Sequence, residues 1–517
     1  MEAVSQLDRD ASIALAAIRE WKNSFAHINR IPVDILSLIP THLPTQKDRF
    51  HAASVCRHWR GVLLRHGALW SQVFLKKGEE CVSTLLERAK GSALEVITDG
   101  DAPFSTIKFI TPRAQQIVYL EFMGNHWRDI VAFSEFNSGQ FPLLHTLKII
   151  PFDTLNLHGQ LIPPSLRLFR GSIDLQQFVF CSPRLSSLSH FVFPNLTTFK
   201  LLPTQTEEFS ASCLLNFLEA SPMLQTVEMV IPAKIILGSD PHETVVVLPN
   251  IETFSLHVTD DRLQQVHDFA SHISCPCAKY TSLTHDVDDD DMRPNLEVFP
   301  TPVVWNTFFH QYMASPAVEL TLEIKHSERM IISCFLTFRS SDATVVRLGF
   351  SIHESGLCED ELNMSHADMG RDIFSQALTT IRDHPLLSQV KRLHIKQRVF
   401  MSNTYRMANR VRELFGSLGP LDELTIYGCD LHMFLANFLD NPGHDRLEQP
   451  IVFPQIKEFA IGFPSGGDDD LGWVNAIVEL ARSHYMLGIP FERVTVNTWT
   501  IFAGMAERLG QWVAAVG

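Results

Sequence analysis

A short apolar pattern recurs along most of the chain and constrains its fold more than any other feature. A proline or loop residue is followed by Leu-x-x-Leu-x-Leu or a near variant, with copies beginning at residues 141, 193, 221, 248, 315, 384, 419 and 453. The prolines at 194, 222 and 249 are 28 and 27 residues apart, and those at 385, 420, 454 and 490 are 35, 34 and 36 apart. One copy cannot bury its apolar face alone, so we expect neighbouring copies to stack.

Each copy combines an alternating strand with a helical segment before it, as at residues 213–220 and 305–313. Stacking predicts parallel strands on a concave side and helices on a convex side, which is an α/β fold in the form of a curved solenoid. We assign this solenoid to residues 76–517, because stacked repeats escape the size limit of a single core. Breaks in the period near residues 257–300 and 353–375 predict loops or missing repeats.

The N-terminal segment, residues 1–29, predicts a helix over residues 4–28. Its apolar residues recur at spacings of three, four or seven, so they share one face of that helix. They are Val4, Leu7, Ala14, Ile18, Trp21 and Phe25. Such a face is typical of a short coiled-coil or docking helix, and equally of a helix that lies on the module after it.

Residues 30–75 predict a compact block of two or three short helices. Pro32 suits the first turn of a helix, whereas Pro40 and Pro44 limit how far that helix runs. A second helix is expected between residues 48 and 64, where Phe50, Ala53, Cys56 and Arg60 follow the helical step. The block carries more apolar surface than two short helices bury on each other, which indicates a partner.

The same block contains four short sequences that resemble an F-box. They are Ile31-Pro-Val-Asp-Ile-Leu, Leu43-Pro44, Val55-Cys56-Arg57-His58-Trp59-Arg60 and Leu69-Trp70. The family usually begins Leu-Pro-x-Glu-Leu-Leu and contains Val-Cys-[Lys/Arg]-x-Trp followed by Leu-Trp. Ile31 and Asp34 replace the usual Leu and Glu, and Pro40 departs from the family pattern. With its upstream helix and degenerate leucine-rich repeats, the chain resembles the expanded F-box families of mushroom-forming fungi.

This resemblance implies a substrate-receptor subunit of an SCF-type ubiquitin ligase. The F-box would bind a Skp-type adaptor, and through it a cullin, while the solenoid holds a protein target for ubiquitination. The adaptor contacts implied by the family pattern are Ile31, Pro32, Ile35, Leu36, Leu43, Val55, Cys56 and Trp59. Each of these side chains has a second interpretation, which is internal packing of the helices. An adaptor-binding scaffold that does not direct degradation is the alternative function.

Charge and cysteine content narrow the range of partners and compartments. The net charge of −15 argues against a nucleic-acid or membrane-surface partner. The nine cysteines have no paired spacing and suit a reducing compartment. The first ten residues lack the plan of a signal peptide, and no apolar run is long enough for a membrane helix. We therefore expect a cytoplasmic or nuclear protein.

Two sequence segments raise the possibility of a metal site. Residues 286–297 place carboxylates at four ligand positions of a calcium loop, but Asp291 stands where the turn needs glycine, so a solvated acidic loop is the better interpretation. His272, Cys275, Cys277 and His285 offer zinc donors, but Cys-Pro-Cys is not the usual ligand spacing and core positions are favoured. The sequence carries no catalytic motif, so we expect neither a cofactor nor enzymatic activity.

Overall fold

A computed structural model of the chain forms two compact units. The first comprises Met1–Pro183 and Ser187–Leu196, and the second comprises Arg184–Ser186 and Thr197–Gly517. The structure describes residues 2–43, 45–100, 109–124, 130, 141–150, 174–181, 188, 191–202, 209–231, 235–236, 245–258, 263–288, 317–326, 331–353, 385–397, 418–428, 456–462, 472–486, 488–497 and 505–516. Each unit is described below by itself.

The first unit begins with helices. They are α1 (Glu2–Ser24), α2 (Val33–Leu38), α3 (Gln46–Ser54), α4 (Arg57–Leu63) and α5 (Glu79–Ala89). Helical turns of the 3-10 type lie at His27–Arg30, Ile39–His42 and Gly67–Trp70. We call residues 27–70 the helical module. The helix expected over residues 4–28 is present as α1, but it ends at Ser24, four residues earlier than expected. The expected proline-led helix is α2, preceded directly by Pro32.

Of the two or three short helices expected in this block, three are present as α2, α3 and α4. The stretch from residue 48 to 64, which the helical step treated as one helix, is divided at Val55 and Cys56. Cys56 has an extended backbone, and its sulfur accepts a hydrogen bond from the Trp59 amide at the start of α4. Thr45 caps α3 in the same way, accepting from the Asp48 amide. Side chains that accept from free amides compete with helix continuation and mark helix starts. The break turns Val55 outward.

Five parallel strands follow the helical module in the described part of the first unit. They are β1 (Gln72–Phe74), β2 (Leu94–Asp99), β3 (Ile117–Met123), β4 (Thr146–Ile150) and β5 (Gln177–Phe180). Each pairs in parallel with the next along the chain. Buried aromatic side chains of β5 and of the segment after it form the densest part of this core. They are Phe178, Phe180, Phe191 and Phe193.

The second unit contains the longer strand ladder. Its strands are β6 (Thr198–Leu201), β7 (Phe209–Ser210), β8 (Thr226–Ile231), β9 (Ile235–Ile236), β10 (Val246–Val247), β11 (Thr253–Val258), β12 (Ile273–Ser274), β13 (Tyr280–Asp288), β14 (Ala317–His326), β15 (Ile331–Ser340), β16 (Val345–His353), β17 (Arg392–Gln397), β18 (Leu421–Gly428), β19 (Ile456–Gly462), β20 (Arg493–Asn497) and β21 (Ala515–Val516). Its helices are α6 (Ala211–Glu219), α7 (Leu263–Ser271), α8 (Gly472–Met486) and α9 (Met505–Leu509).

Parallel pairing of the repeated strands, as predicted, is confirmed for most of the second unit. The pairs β6–β8, β8–β11 and β11–β13 are parallel, and so are β17–β18, β18–β19, β19–β20 and β20–β21. Two-residue strands pair separately as β7–β9 and β10–β12. The helix expected at residues 213–220 is α6, whereas the one expected at residues 305–313 lies outside the described residues.

The same core positions explain why each copy forms a turn and then a strand. The residue before the proline is buried. Counted from that residue, the third, sixth and eighth residues further along the chain are buried as well. In one copy these are Phe193, Leu196, Phe199 and Leu201, and in the next Ser221, Leu224, Val227 and Met229. In both copies the second of these residues donates its amide to the carbonyl of the first, which closes the turn. Alternation then buries one face of the strand.

The loop expected across residues 257–300 is wrong for its first part. Cys275-Pro276-Cys277-Ala278 forms the same turn, with Ala278 donating its amide to the Cys275 carbonyl, and β13 pairs in parallel with β11. A further copy of the unit therefore stands where a gap was expected. Of the second expected break, residues 353–375, only His353 lies within the described residues.

The chain departs from an all-parallel ladder at β14, β15 and β16. β15 is antiparallel to both of its neighbours, β14 and β16. β16 pairs in parallel with β13, and β14 pairs in parallel with β17. The spatial order is therefore β13, β16, β15, β14, β17. The three strands β14, β15 and β16 thus stand in the sheet in the reverse of their order along the chain.

Candidate partner-binding surfaces

The interior of the helical module contains two of the predicted adaptor contacts. Leu36 and Trp59 are buried, together with Leu63, Leu69 and Trp70. The Trp70 indole N–H donates to the Leu63 carbonyl at 2.9 Å, which fixes the end of α4 against the next turn. In this structure Leu36 and Trp59 are covered by the chain's own residues and support the module from within.

Asn29 connects the interior of the module to α1, a role that no sequence pattern indicated. Its Oδ1 atom accepts from the Trp59 indole N–H at 3.0 Å and from the Cys56 thiol at 3.9 Å. Its Nδ2 atom donates to the Asn23 carbonyl at 2.6 Å. A buried indole N–H requires an acceptor, so the Trp59 side chain was the signal that a partner had to exist.

Among the side chains of the module that the structure describes, four large apolar ones remain exposed. Three lie on α2, at Val33, Ile35 and Leu38, and the fourth is Val55 at the break between α3 and α4; Ile35 is 51% exposed and Val55 63%. Exposed apolar side chains concentrated on a small module are typical of a protein-binding surface.

The eight predicted adaptor contacts therefore divide into three groups. Pro32, Ile35 and Val55 are exposed, whereas Leu36 and Trp59 are buried. The remaining three, Ile31, Leu43 and Cys56, are half-buried.

The helical module has the opposite charge to the whole chain. Between residues 27 and 70 there are six Lys or Arg residues and two Asp residues, a net charge of +4, against −15 for all 517 residues. Most of these basic side chains, including Lys47, Arg57, Arg60 and Arg65, are exposed. A partner with an acidic surface is therefore attracted to this part of the chain.

A groove of about 430 Å³ runs between α1 and the start of α4. Ala16, Glu20 and Asn23 line it from α1, and Cys56 and Arg57 line it from the module. The Arg57 guanidinium lies 3.5 Å from the Glu20 carboxylate, but both side chains are exposed. An exposed ion pair contributes little, so the hydrogen bonds of Asn29 hold α1 on the module more than this pair does.

The outward face of the strands in the second unit forms a groove of about 310 Å³, lined by both apolar and polar side chains. Residues in register across the strands create rows on this face, as with Lys200, Glu228 and Ser255. The Lys200 ammonium lies 2.6 Å from the Glu228 carboxylate. In the next row His257 Nδ1 and Thr284 Oγ1 are 2.6 Å apart. Half-buried polar side chains in rows are suited to contact a protein surface.

A related polar cluster lies on the strand face of the first unit. The Tyr119 hydroxyl donates to the Glu121 carboxylate, and the Lys148 ammonium lies 3.5 Å from the same carboxylate. Burial and the neighbouring Glu121 raise the pKa of Tyr119, so its hydroxyl keeps its proton. The Lys148 ammonium also lies over the Tyr119 ring at 5.2 Å. The buried Glu121 carboxylate therefore has a hydrogen-bond donor and a positive charge beside it within the same strand face.

The two cysteines considered as zinc ligands differ in their exposure to solvent. Cys275 is buried in its turn, whereas Cys277 is exposed, and the described residues contain no group of three or more side chains placed to hold a metal ion. The acidic run considered for calcium lies outside the described residues beyond Asp288. Within the described part of the chain, no helix has the length and apolar character needed to cross a membrane.

One part of the chain matches a known family of domains. Residues 28–76 match the family model described as F-box-like, so an F-box-like domain occupies the helical module. No curated protein matches the chain.

Proposed function

We propose that this chain is a substrate-receptor subunit of an SCF-type ubiquitin ligase. The observation that carries the proposal is the F-box-like domain at residues 28–76 together with its exposed apolar side chains. F-box domains generally bind Skp-type adaptors, and through the adaptor a cullin is recruited. The leucine-rich-repeat-like region would then hold the protein target, as in the fungal F-box families that the sequence resembles.

The adaptor-binding surface in this proposal is centred on Ile35 and Val55. Both side chains are exposed, so a partner that covers them gains apolar burial without disturbing the module. Pro32 lies beside α2 and is exposed as well. Leu36 and Trp59 contribute indirectly in this arrangement, by holding α2 and α4 in position.

The target-binding surface in this proposal is the outward strand face of the second unit, in a curved solenoid of stacked repeats. This face carries rows of polar side chains, such as Lys200, Glu228, Ser255 and His257. Substitutions at these positions leave the buried positions of the repeat unaltered. Different relatives with the same core can therefore recognise different targets.

The proposed mechanism is tethering, and no bond is made or broken by this chain itself. Holding a target near a ubiquitin-conjugating enzyme raises the effective concentration of the target lysine. The proposal therefore requires no cofactor and no catalytic residue here. It places the protein in the cytoplasm or nucleus, where the other ligase subunits act.

The adaptor contact is tested with Val55→Asp in the full chain. A carboxylate at the centre of an apolar interface is left unpaired, so we expect affinity for a purified Skp-type adaptor to fall at least ~10-fold. Val192→Asp is the matched control, because Val192 is also exposed, at 66% against 63% for Val55, and lies outside the helical module. Biolayer interferometry measures both variants against the unsubstituted chain.

Two results would contradict the proposal. Unchanged adaptor binding by both Val55→Asp and Ile35→Asp means that this surface is not the contact, and no binding by the unsubstituted chain removes the receptor function altogether. Degradation is tested separately by comparing protein abundances in cells with and without the chain. If no protein accumulates in its absence, an adaptor-binding scaffold is the better description.

A further inference from the structure

The apolar face of α1 is largely exposed. Val4 and Leu7 are each 74% exposed, and Ile18 and Trp21 are 62% and 67% exposed. Together with Ala11 and Ala14 these residues follow an unbroken spacing of three and four along the helix, and Phe25 continues it in the turn directly after Ser24. That spacing is the a and d pattern of a coiled coil, and it forms a narrow seam along one side.

The seam lies on the side of α1 that faces away from the helical module. The residues of α1 that line the groove against the module include Ala16, Glu20 and Asn23. At 100° per residue these positions lie about half a turn around the helix axis from Ile18. The helical module therefore occupies the opposite side of α1 and leaves the seam available to a second chain.

We propose that α1 pairs with α1 of a second copy of this chain, in antiparallel orientation. When the two helices cross at the level of Ala16, each alanine of the seam faces a large side chain, with Trp21 opposite Ala11 and Ile18 opposite Ala14. A parallel pair would instead place Trp21 on Trp21 and Ala11 on Ala11, which packs less evenly.

The charges on α1 favour the same orientation. The first half of the helix carries Glu2, Asp8, Arg9 and Asp10, a net charge of −2. The second half carries Arg19, Glu20 and Lys22, a net charge of +1. In the antiparallel alignment Asp8 of each copy lies beside Lys22 of the other, at positions that flank the seam. A parallel pair would instead bring the two acidic halves together and offer Lys22 no acidic neighbour on the other copy.

The expected dimer is weak and reversible. A helix of 23 residues supplies about three heptads, which is near the lower limit for a coiled coil. Interfaces of this size are at the small end of specific contacts, so we expect dissociation in the range of ~1–100 μM.

The seam is tested by sedimentation of the full chain over the micromolar range. We expect the unsubstituted chain to change from monomer to dimer, and Ile18→Asp to remain monomeric. Ile13→Asp is the matched control, because Ile13 is an exposed isoleucine of the same helix that lies off the seam. It is expected to dimerise like the unsubstituted chain. A monomer at every concentration, or equal loss in both variants, overturns the proposal.

The orientation is tested with exchanged charges. Asp8→Lys alone and Lys22→Asp alone should each weaken the dimer, because each places two like charges side by side. The double variant restores opposite charges and should recover the dissociation constant of the unsubstituted chain. Absence of recovery overturns the antiparallel arrangement. Adaptor binding is not measured in either experiment, so their failure does not affect the proposed ligase function.

Discussion

Asn29 shows how one side chain can organise a small module. It accepts from Trp59 and Cys56 and donates to the backbone of Asn23, so it joins α1 and α4 through three hydrogen bonds. Periodicity predicts which faces are apolar, but it does not predict which amide will meet a buried indole. Asn29 and Trp59 are 30 residues apart along the chain, and no local pattern encodes their contact.

His484 makes the stability of the second unit sensitive to acid. Its ring is fully buried and stacks on Phe491 at 4.3 Å. Burial lowers the pKa of His484 to about 4 from 6.5, opposed by a hydrogen bond with the Ile489 backbone. Unfolding therefore takes up a proton between these values. We expect the free energy of unfolding to be constant above pH 6.5 and to fall by about 3 kcal/mol towards pH 4.

Urea denaturation between pH 7 and pH 4 measures this dependence. His484→Gln should reduce the slope with pH, whereas His51→Gln, at an exposed histidine of the helical module, should leave it unchanged. The same slope in all three proteins would show that His484 is not the group responsible.

At the scale of elements, the repeated strands were largely predictable and the exceptions have physical reasons. Copies with large apolar residues at most of their core positions were found from the sequence, including the copy with Leu224, Val227 and Met229. The copy at residues 275–283 was missed because Cys275, Ala278 and Thr281 occupy three of its four core positions. Its backbone hydrogen bonds nevertheless match those of its neighbours, because the turn depends on Pro276 and the strand spacing.

The turn around Cys275 gives a prediction on thiol reactivity. Burial raises the pKa of Cys275 to about 12, so its thiolate is scarce, whereas Cys277 is exposed two residues later. In the native protein we expect iodoacetamide to label Cys277 and to leave Cys275 unlabelled. In the mass spectrometer, breaking the peptide backbone between Cys275 and Cys277 shows which of the two cysteines carries the label. Comparable labelling of both would mean that Cys275 is not a core residue.

The candidate adaptor surface was only partly predictable. The sequence identified the F-box-like module, but helical period alone did not separate Leu36, which is buried, from Ile35, which is exposed. In a helix as short as α2, adjacent residues lie on different sides, and which side is inward depends on where α3 and α4 pack. Val55 became exposed through the break before α4, which the expected continuous helix did not contain.

At the scale of the whole molecule, the two compact units each have their own buried aromatic residues. Phe122 is buried on β3 of the first unit, and Phe254 is buried on β11 of the second. In a repeat architecture each copy contacts mainly its neighbours, so a core defect is expected to act locally.

Hydrogen exchange on paired core variants tests this locality. Phe254→Ala should destabilise its surroundings by about 3–5 kcal/mol and reduce amide protection in β8, β11 and β13. Protection in β2, β3 and β4 should stay near that of the unsubstituted chain. Phe122→Ala should give the reverse distribution. Uniform loss of protection in either variant would indicate one cooperative unit.

The reversed order of β14, β15 and β16 affects how the protein can fold as it leaves the ribosome. In the ladder β6, β8, β11 and β13, the parallel neighbour of each new strand precedes it by about one copy of the repeat and has already been synthesised. The next neighbour of β13 is β16, which begins at Val345, 65 residues after β13 begins at Tyr280. Growth of the sheet therefore waits at β13 until His353 has been synthesised, and during that interval the edge of β13 is open to pairing with other chains.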